Sequence, residues 1–377
     1  MTQKTTRKPS LDDASTRTIP GAATAAGTQR FADRFAATFA SDFYRPSADL
    51  TLSSIGMGTY LGECDDDEDQ RYVDVLTDGV SSGLNVIDTA INYRCQRSER
   101  AVGRALQRIL DSKVAERDEI VVCTKGGYVP LEGSPPDSRS DYEAYLEREY
   151  FASSVMLKSE VVAGGHCVSP RFLSNQIERS RSNLGVDRID VFYLHNPEQQ
   201  LDTLDREQFN RSIANAFSEL ESQVEAGQIG AYGCATWNGF RTPPTLRNHL
   251  SLSSLIEIAE SVGGKSHHFR FVQLPVNLAM TEAIRSTTQD SHGTPMSLMD
   301  LATQLGISVI ASATLMQSQL TRNLPGAVHS LFPDLETDAQ RAIAFVRSLP
   351  VTSALVGMRS HAHLEENISA GTAVIRA

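Results

Sequence analysis

The sequence predicts an α/β protein. The expected fold is a (β/α)8 TIM barrel with an N-terminal extension and a long loop insertion after strand 3. Three observations predict it. Eight strand-like apolar runs alternate with helical stripes over residues 49–377. The first run carries only Gly56 and Gly58, then Gly62, too little for the Gly-rich turn of an open dinucleotide-binding sheet. Three successive runs end on residues with proton chemistry: Asp88 with Tyr93 five residues later, then Lys125, then His195. In a parallel barrel such strand ends converge on one mouth.

In order along the chain, residues 1–48 form the extension. Up to about residue 28 it is rich in Thr, Ala, Ser and Gly and reads as a flexible arm. Phe31, Phe35 and Phe39 then have helical spacing, with Phe43 and Tyr44 following. This segment is expected to pack on the main domain; a partner-binding helix is the alternative. The strand-like runs are Ser54–Gly58, Asn85–Asp88, Ile120–Thr124, Ile189–Leu194, Ile229–Cys234, Phe271–Leu274, Ser308–Ala311 and Ala354–Val356. Between them, Val73, Leu76, Val80 and Leu84 step by three and four, as do Val102, Leu106 and Ile109. Phe209, Ile213, Phe217, Leu220 and Val224 repeat the pattern, and so do Leu298, Leu301 and Leu305. Ser169-Pro170 reads as an N-cap and N1 pair opening a helix to about Leu184.

About forty residues, 126–168, separate the third strand from the next helix. Pro135-Pro136 and Ser138–Ser140 mark a loop, yet the stretch holds Tyr128, Tyr142, Tyr145, Tyr150 and Phe151, with a helix expected over Tyr142–Met156. Loops this long are usually lids or binding elements. The expectation is a lid with Tyr142, Tyr145 or Tyr150 facing the pocket; the alternative is an insertion with a small core of its own.

The net charge is −11, which argues against nucleic acid or an anionic membrane as partner. Five scattered cysteines (Cys64, Cys95, Cys123, Cys167, Cys234) form no CxxC pair and suit reduced thiols in the cytoplasm. No apolar run approaches the roughly 18 residues of a membrane span, and the first residues lack the apolar stretch of a secretory signal. No metal site is expected, and the oligomeric state is not legible.

The residue types at the strand ends suit proton-coupled reduction of a carbonyl. Tyr93 would be the acid. Lys125 would lower its pKa from near 10, Asp88 would hold the ammonium, and His195 would orient the carbonyl oxygen.

With these residues in place, the chain resembles the aldo-keto reductase superfamily over roughly residues 50–370. The resemblance rests on DTAINY followed by Ser98-Glu99, on VVCTKGG around Lys125, on YLHNPE around His195, on VQLPVN with Gln273 and Asn277, and on LVGMRSHAHLEEN with Gly357, Arg359, Leu364 and Asn367. It implies a barrel that binds a nicotinamide dinucleotide and reduces aldehydes or ketones, or oxidises the matching alcohol or sugar. The catalytic set it implies is Asp88, Tyr93, Lys125 and His195. It implies cofactor contacts at Gly58, Thr59, Thr236, Gln273, Asn277, Ser312, Leu315, Gly357, Arg359 and Asn367, and substrate contacts at Tyr60 and Trp237. NADP is the expected cofactor, with NAD the alternative, because Arg359 offers a bidentate partner for a 2′-phosphate.

The chain departs from the pattern in three places. Arg94-Cys95-Gln96-Arg97 stand where the family often has glycines, a change expected at the substrate rim. Thr236-Trp237 stand where Ser-Asn is common. Ser312 stands where an aromatic often stacks on the nicotinamide, which leaves Trp237 to stack, to line the substrate pocket, or simply to sit at the rim. A cofactor-binding regulatory subunit with little turnover is the alternative function. A barrel isomerase or lyase would need a Gly-rich phosphate loop that Val356-Gly357-Met358 does not supply.

Overall fold

The computed structural model describes residues 18–372. Eight parallel strands close into a barrel: β1 Ile55–Gly58, β2 Val86–Asp88, β3 Val121–Gly126, β4 Ile189–His195, β5 Ile229–Ala235, β6 Phe269–Pro275, β7 Ser308–Ser312 and β8 Ser353–Gly357. They follow one another in sequence order, and β8 pairs with β1 through Gly357↔Gly58. These are the eight runs read from the sequence: the first three begin one residue later than read, and from the third onward the strands run one or two residues further at one or both ends. The helical stripes fall in Asp66–Ser81, Arg97–Asp111, Arg206–Glu225 and Leu298–Gln304, and Pro170 opens a helix to Leu184. Burial on both faces explains why the strands read as continuous apolar runs.

The N-terminal extension closes the bottom of the barrel. Residues 1–17 of the expected flexible arm lie outside the described residues. From Ile19 onward the chain is anchored, with Ile19 N–H on Gly185 O at 2.7 Å and Ala23 N–H on Asp190 Oδ1 at 2.7 Å. The Phe segment is helical only over Ala25–Arg34; Phe31, Phe39 and Phe43 are buried, so its aromatic surface is used up inside the chain. A hairpin that the sequence did not announce follows, Tyr44–Ser47 against Leu50–Ser53. Its two-residue turn has Ala48 at φ 51°, a position that hairpins normally give to glycine, so the turn carries no sequence signal. Asn85, just below β2, holds it by accepting from Ser53 N–H at 2.8 Å and donating to Thr51 O at 2.9 Å.

The insertion has a small core of its own. Its two ends pair as they leave and re-enter the mouth: Val129 N–H donates to Gly165 O at 2.7 Å and Cys167 N–H to Gly127 O at 2.8 Å. Between them stand a helix over Arg139–Leu146 and a π-helical turn over Glu147–Phe151. Against expectation, Tyr142, Tyr145 and Tyr150 turn away from the pocket. Their hydroxyls donate to the insertion's own carbonyls, Gly164 O at 2.8 Å, Pro130 O at 2.6 Å and Pro130 O at 3.4 Å respectively. Tyr150 packs edge-on against Phe172 of the following helix, ring centroids 5.7 Å apart. With Val129, Leu146, Met156 and Cys167 these rings make a separate small core. Side chains that pack on one another gain more by mutual burial than by facing a wet cleft.

Candidate active site

The C-terminal strand ends open on a cleft of about 530 Å³, a volume typical of small-molecule sites. Asp88 closes β2 and Lys125 is the penultimate residue of β3. Lys125 is buried beneath the cleft, where its Nζ donates to Asp88 Oδ1 at 2.5 Å and Thr89 O at 2.7 Å. Asp88 Oδ2 accepts from Gln273 Nε2 of β6 at 2.8 Å. Burial alone would favour neutral lysine, but the Asp88 carboxylate overrides it and the net shift is upward. Lys125 is oriented from behind, because Glu99 accepts from the neighbouring Thr124 Oγ1 at 2.6 Å and from Asn183 Nδ2 at 2.9 Å. Ser98 Oγ donates to Thr59 O at 2.7 Å, so the Ser98-Glu99 pair ties the loops after β1 and β2 together.

Tyr93 stands over this pair. Its ring centroid is 4.8 Å from Lys125 Nζ, 5.0 Å from the Tyr60 ring and 5.9 Å from the His195 ring. Burial pushes its phenol above the ordinary value of 10.0, and the Lys125 ammonium opposes that rise without reversing it. The sequence reading had the direction of the lysine's effect right but omitted the larger one. His195 ends β4; burial, with Lys125 as a second cause, holds its pKa well below the ordinary 6.5. It is therefore a neutral imidazole at physiological pH. Its Nδ1 is buried without a partner among the described residues.

The backbone after Tyr93 is strained. Arg94, Cys95 and Gln96 have φ of 48°, 54° and 71°, three consecutive left-handed conformations without a glycine. Each costs on the order of 1–3 kcal/mol and persists only when its surroundings dictate it. Arg94 Nη2 pairs with the buried Asp69 at 2.6 Å and its Nε donates to Glu63 O at 2.8 Å. Gln96 Nε2 donates to Leu131 O at 2.9 Å, and Gly133 N–H to Cys95 O at 3.0 Å. Arg94, Cys95 and Gln96 are buried and do not line the cleft, so the expectation of a changed substrate rim is corrected: these residues fasten the loop that carries Tyr93.

Of the other sequence-derived positions, Gly58, Thr59, Tyr60, Thr236, Trp237, Gln273, Ser312, Leu315 and Gly357 do line the cleft. Gly58 and Gly357 are register partners, and a Cβ on either would meet nothing closer than 3.8 Å, so the floor there is open bare backbone. Thr314 Oγ1 is a buried hydroxyl oxygen without a partner among the described residues, in the wall of the same cleft. An open glycine floor next to an unpaired hydroxyl fits a long polar cofactor laid across β7, β8 and β1. Asn277, Arg359 and Asn367 do not line the cleft. Asn277 is spent on its own loop, donating to Ala313 O at 2.9 Å and accepting from Ala279 and Met280 N–H at 2.9 Å each. Arg359 is bidentate to the buried Glu68 at 2.6 and 2.5 Å, so any anion it takes up competes with that carboxylate. Asn367 is buried in the helix His361–Ser369.

Sequence reasoning missed Asn92, Tyr128 and Asn196, which also line the cleft, and Met316–Ser318 after β7. Asn92 and Asn196 directly adjoin Tyr93 and His195, the one signal that would have found them.

The aldo/keto reductase family model matches residues 54–330. The chain belongs to the aldo/keto reductase family. Among curated relatives it is 27% identical over 198 residues to the NADH-specific methylglyoxal reductase of Escherichia coli, covering 50% of each chain. It is likewise 27% identical over 200 residues to a Pseudomonas D-threo-aldose 1-dehydrogenase, covering 50% of this chain and 51% of that one. The chain thus matches about half the length of these curated relatives. Among solved structures, an aldo/keto reductase from Klebsiella pneumoniae in complex with NADP and acetate aligns with TM-score 0.59 at 19% identity, over 89% of this chain and 92% of that one. The glycerol dehydrogenase of Gluconobacter oxydans aligns with TM-score 0.55 at 19% identity, over 88% and 89%. These likenesses concern the fold.

Proposed function

We propose that this aldo/keto reductase is an NAD(P)-dependent oxidoreductase that reduces an aldehyde or ketone, or oxidises the matching alcohol or sugar. The observation that carries the reading is the Tyr93–Lys125–Asp88 cluster facing neutral His195 across one cleft. NADP is the expected cofactor, with NAD as alternative; the Klebsiella pneumoniae structure holds NADP and the Escherichia coli relative is described as NADH-specific. When bound, the nicotinamide supplies hydride. Gly58, Thr59, Ser312, Leu315 and Gly357 would hold the cofactor along the open floor, with Thr236 and Gln273 at its reactive end.

The chain's own residues handle the oxygen. His195, being neutral, donates one N–H to the carbonyl oxygen and fixes its position. Tyr93 holds its proton through neutral pH and releases it as charge grows on that oxygen; Lys125 stabilises the phenolate that remains. Asp88 keeps Lys125 charged between turnovers. Tyr60 and Trp237 flank the substrate entrance. Proton donation of this kind contributes about 10²–10⁴ in rate.

The raised Tyr93 pKa sets the sign of the pH dependence. Reduction requires protonated Tyr93, so its kcat/KM should stay level through neutral pH and fall only on the alkaline side. Alcohol oxidation requires phenolate and should climb with pH over the same range. Profiles in both directions, followed by absorbance of the reduced nicotinamide over a panel of aldehydes, ketones and sugars, check both the activity and the sign. Parallel profiles in the two directions would remove Tyr93 as the titrating acid.

The regulatory-subunit alternative would use the Phe-rich N-terminal segment and the long insertion as docking surfaces. Most of their aromatic rings are now accounted for by internal packing.

A further inference from the structure

The residue that the insertion places in the cleft is Tyr128, not one of its other tyrosines. It follows Gly127, whose φ is 140° and where an added Cβ would lie 2.9 Å from His195 O, so the chain passes hard against β4. Gln176 grips the backbone on both sides, accepting from Gly127 N–H at 2.7 Å and donating to Tyr128 O at 2.6 Å. The Tyr128 ring stands perpendicular to the His195 ring, centroids 4.9 Å apart. On its other edge lies His166, also 4.9 Å away. His166 accepts at Nδ1 from Gln200 Nε2 at 2.8 Å, so its proton is on Nε2, which donates to His195 O at 2.7 Å. The two ends of the insertion therefore bracket His195.

The direction of the hydrogen bonds at Tyr128 follows from one fixed donor. Trp237 N–H can only donate, and it meets Asn196 Oδ1 at 2.7 Å. That leaves Asn196 Nδ2 to face Tyr128 Oη, at 2.8 Å. The Tyr128 oxygen is thus an acceptor in this bond, and among the described residues no protein group accepts its proton. Burial pushes its pKa up to about 12, so the proton stays on at working pH. Asn92 adds a second unused polar group: among the described residues its buried Oδ1 has no partner, and Asn92 lines the same cleft. A purely hydrocarbon substituent next to the carbonyl would leave both groups unsatisfied.

Resting on the reductase reading above, we propose that Tyr128 is a specificity-determining donor for an oxygen on the carbon adjacent to the reacting carbonyl, so that the preferred substrates are 2-hydroxy- or 2-oxoaldehydes and related sugars. His195 and Tyr93 take the reacting oxygen, and Tyr128, beside His195, takes the neighbouring one.

The test compares lactaldehyde with propanal, which differ by the one hydroxyl. In Tyr128→Phe, kcat/KM for lactaldehyde should fall about tenfold while that for propanal changes less than about twofold. Asn196→Asp should reproduce the selective loss, because a carboxylate would accept the Tyr128 proton and withdraw it from the cleft. Equal losses on both aldehydes, or no loss on either, overturn the proposal; propanal reduction that persists then leaves the reductase reading standing. If the wild type reduces neither aldehyde, the panel above decides the reductase reading and binding decides Tyr128. Propane-1,2-diol should then quench or enhance fluorescence of Trp237, the sole tryptophan, at lower concentration than propan-1-ol, with the difference lost in Tyr128→Phe. Equal titrations of the two alcohols in the wild type would overturn it.

Discussion

Tyr93→Phe should fold, keep its cofactor affinity and lose turnover by at least about a hundredfold. The change deletes one oxygen. The ring contacts with Tyr60, His195 and the Lys125 ammonium do not depend on it, and the strained turn that follows is held by Arg94 and Gln96, not by the phenol. Only the proton source disappears. Steady-state kinetics and a cofactor titration separate the two effects, because a lost acid lowers kcat without moving the cofactor Kd. Near-normal turnover by the phenylalanine variant would take Tyr93 out of the mechanism.

Lys125→Met should be the most damaging single change to the site. Lys125 and Asp88 are both buried, and Asp88, at 2.5 Å, is the ammonium's charge partner. Removing the ammonium leaves Asp88 charged with Gln273 Nε2 as its remaining side-chain donor. Breaking a buried pair from one side costs roughly 3–5 kcal/mol. Denaturant unfolding should show that loss, and reduction should fail as well, because nothing then stabilises the Tyr93 phenolate. Adding Asp88→Asn should restore much of the stability without restoring turnover. Unchanged stability together with an unchanged pH–rate profile in Lys125→Met would contradict both roles.

The parts of the molecule legible in the sequence were those with a periodic or positional signal. Barrel strands buried on both faces read as apolar runs, and each run's end named the residue beneath the cleft, which is how Asp88, Lys125 and His195 could be placed together. What stayed hidden was set by tertiary satisfaction of particular groups. The hairpin at the barrel floor turns through Ala48, which carries no turn signature. Tyr142, Tyr145 and Tyr150 read as pocket residues because of where their loop begins, but their hydroxyls donate to carbonyls within the insertion, and Tyr150 packs against Phe172. Arg94 reads as part of the substrate rim and is a buried clamp, because Asp69 on the helix Asp66–Ser81 pairs with it. Arg359 offered a phosphate ligand by position, yet its partner Glu68 lies 291 residues earlier in the chain, beyond any local pattern. The pKa of Tyr93 illustrates the same limit: the nearby lysine was visible in the sequence, and the degree of burial that outweighs it was not.

The central claim, that this cluster protonates a carbonyl as hydride arrives from a nicotinamide, is tested most directly by label transfer in a single turnover. Enzyme loaded with reduced nicotinamide dinucleotide deuterated at the transferable position is mixed with a small aldehyde, and the alcohol is analysed by mass. The account predicts one deuterium on the carbinol carbon with the wild type, and transfer slowed by about a hundredfold or more in Tyr93→Phe at unchanged cofactor affinity. Alcohol formed without deuterium, or transfer by Tyr93→Phe at the wild-type rate, would contradict it.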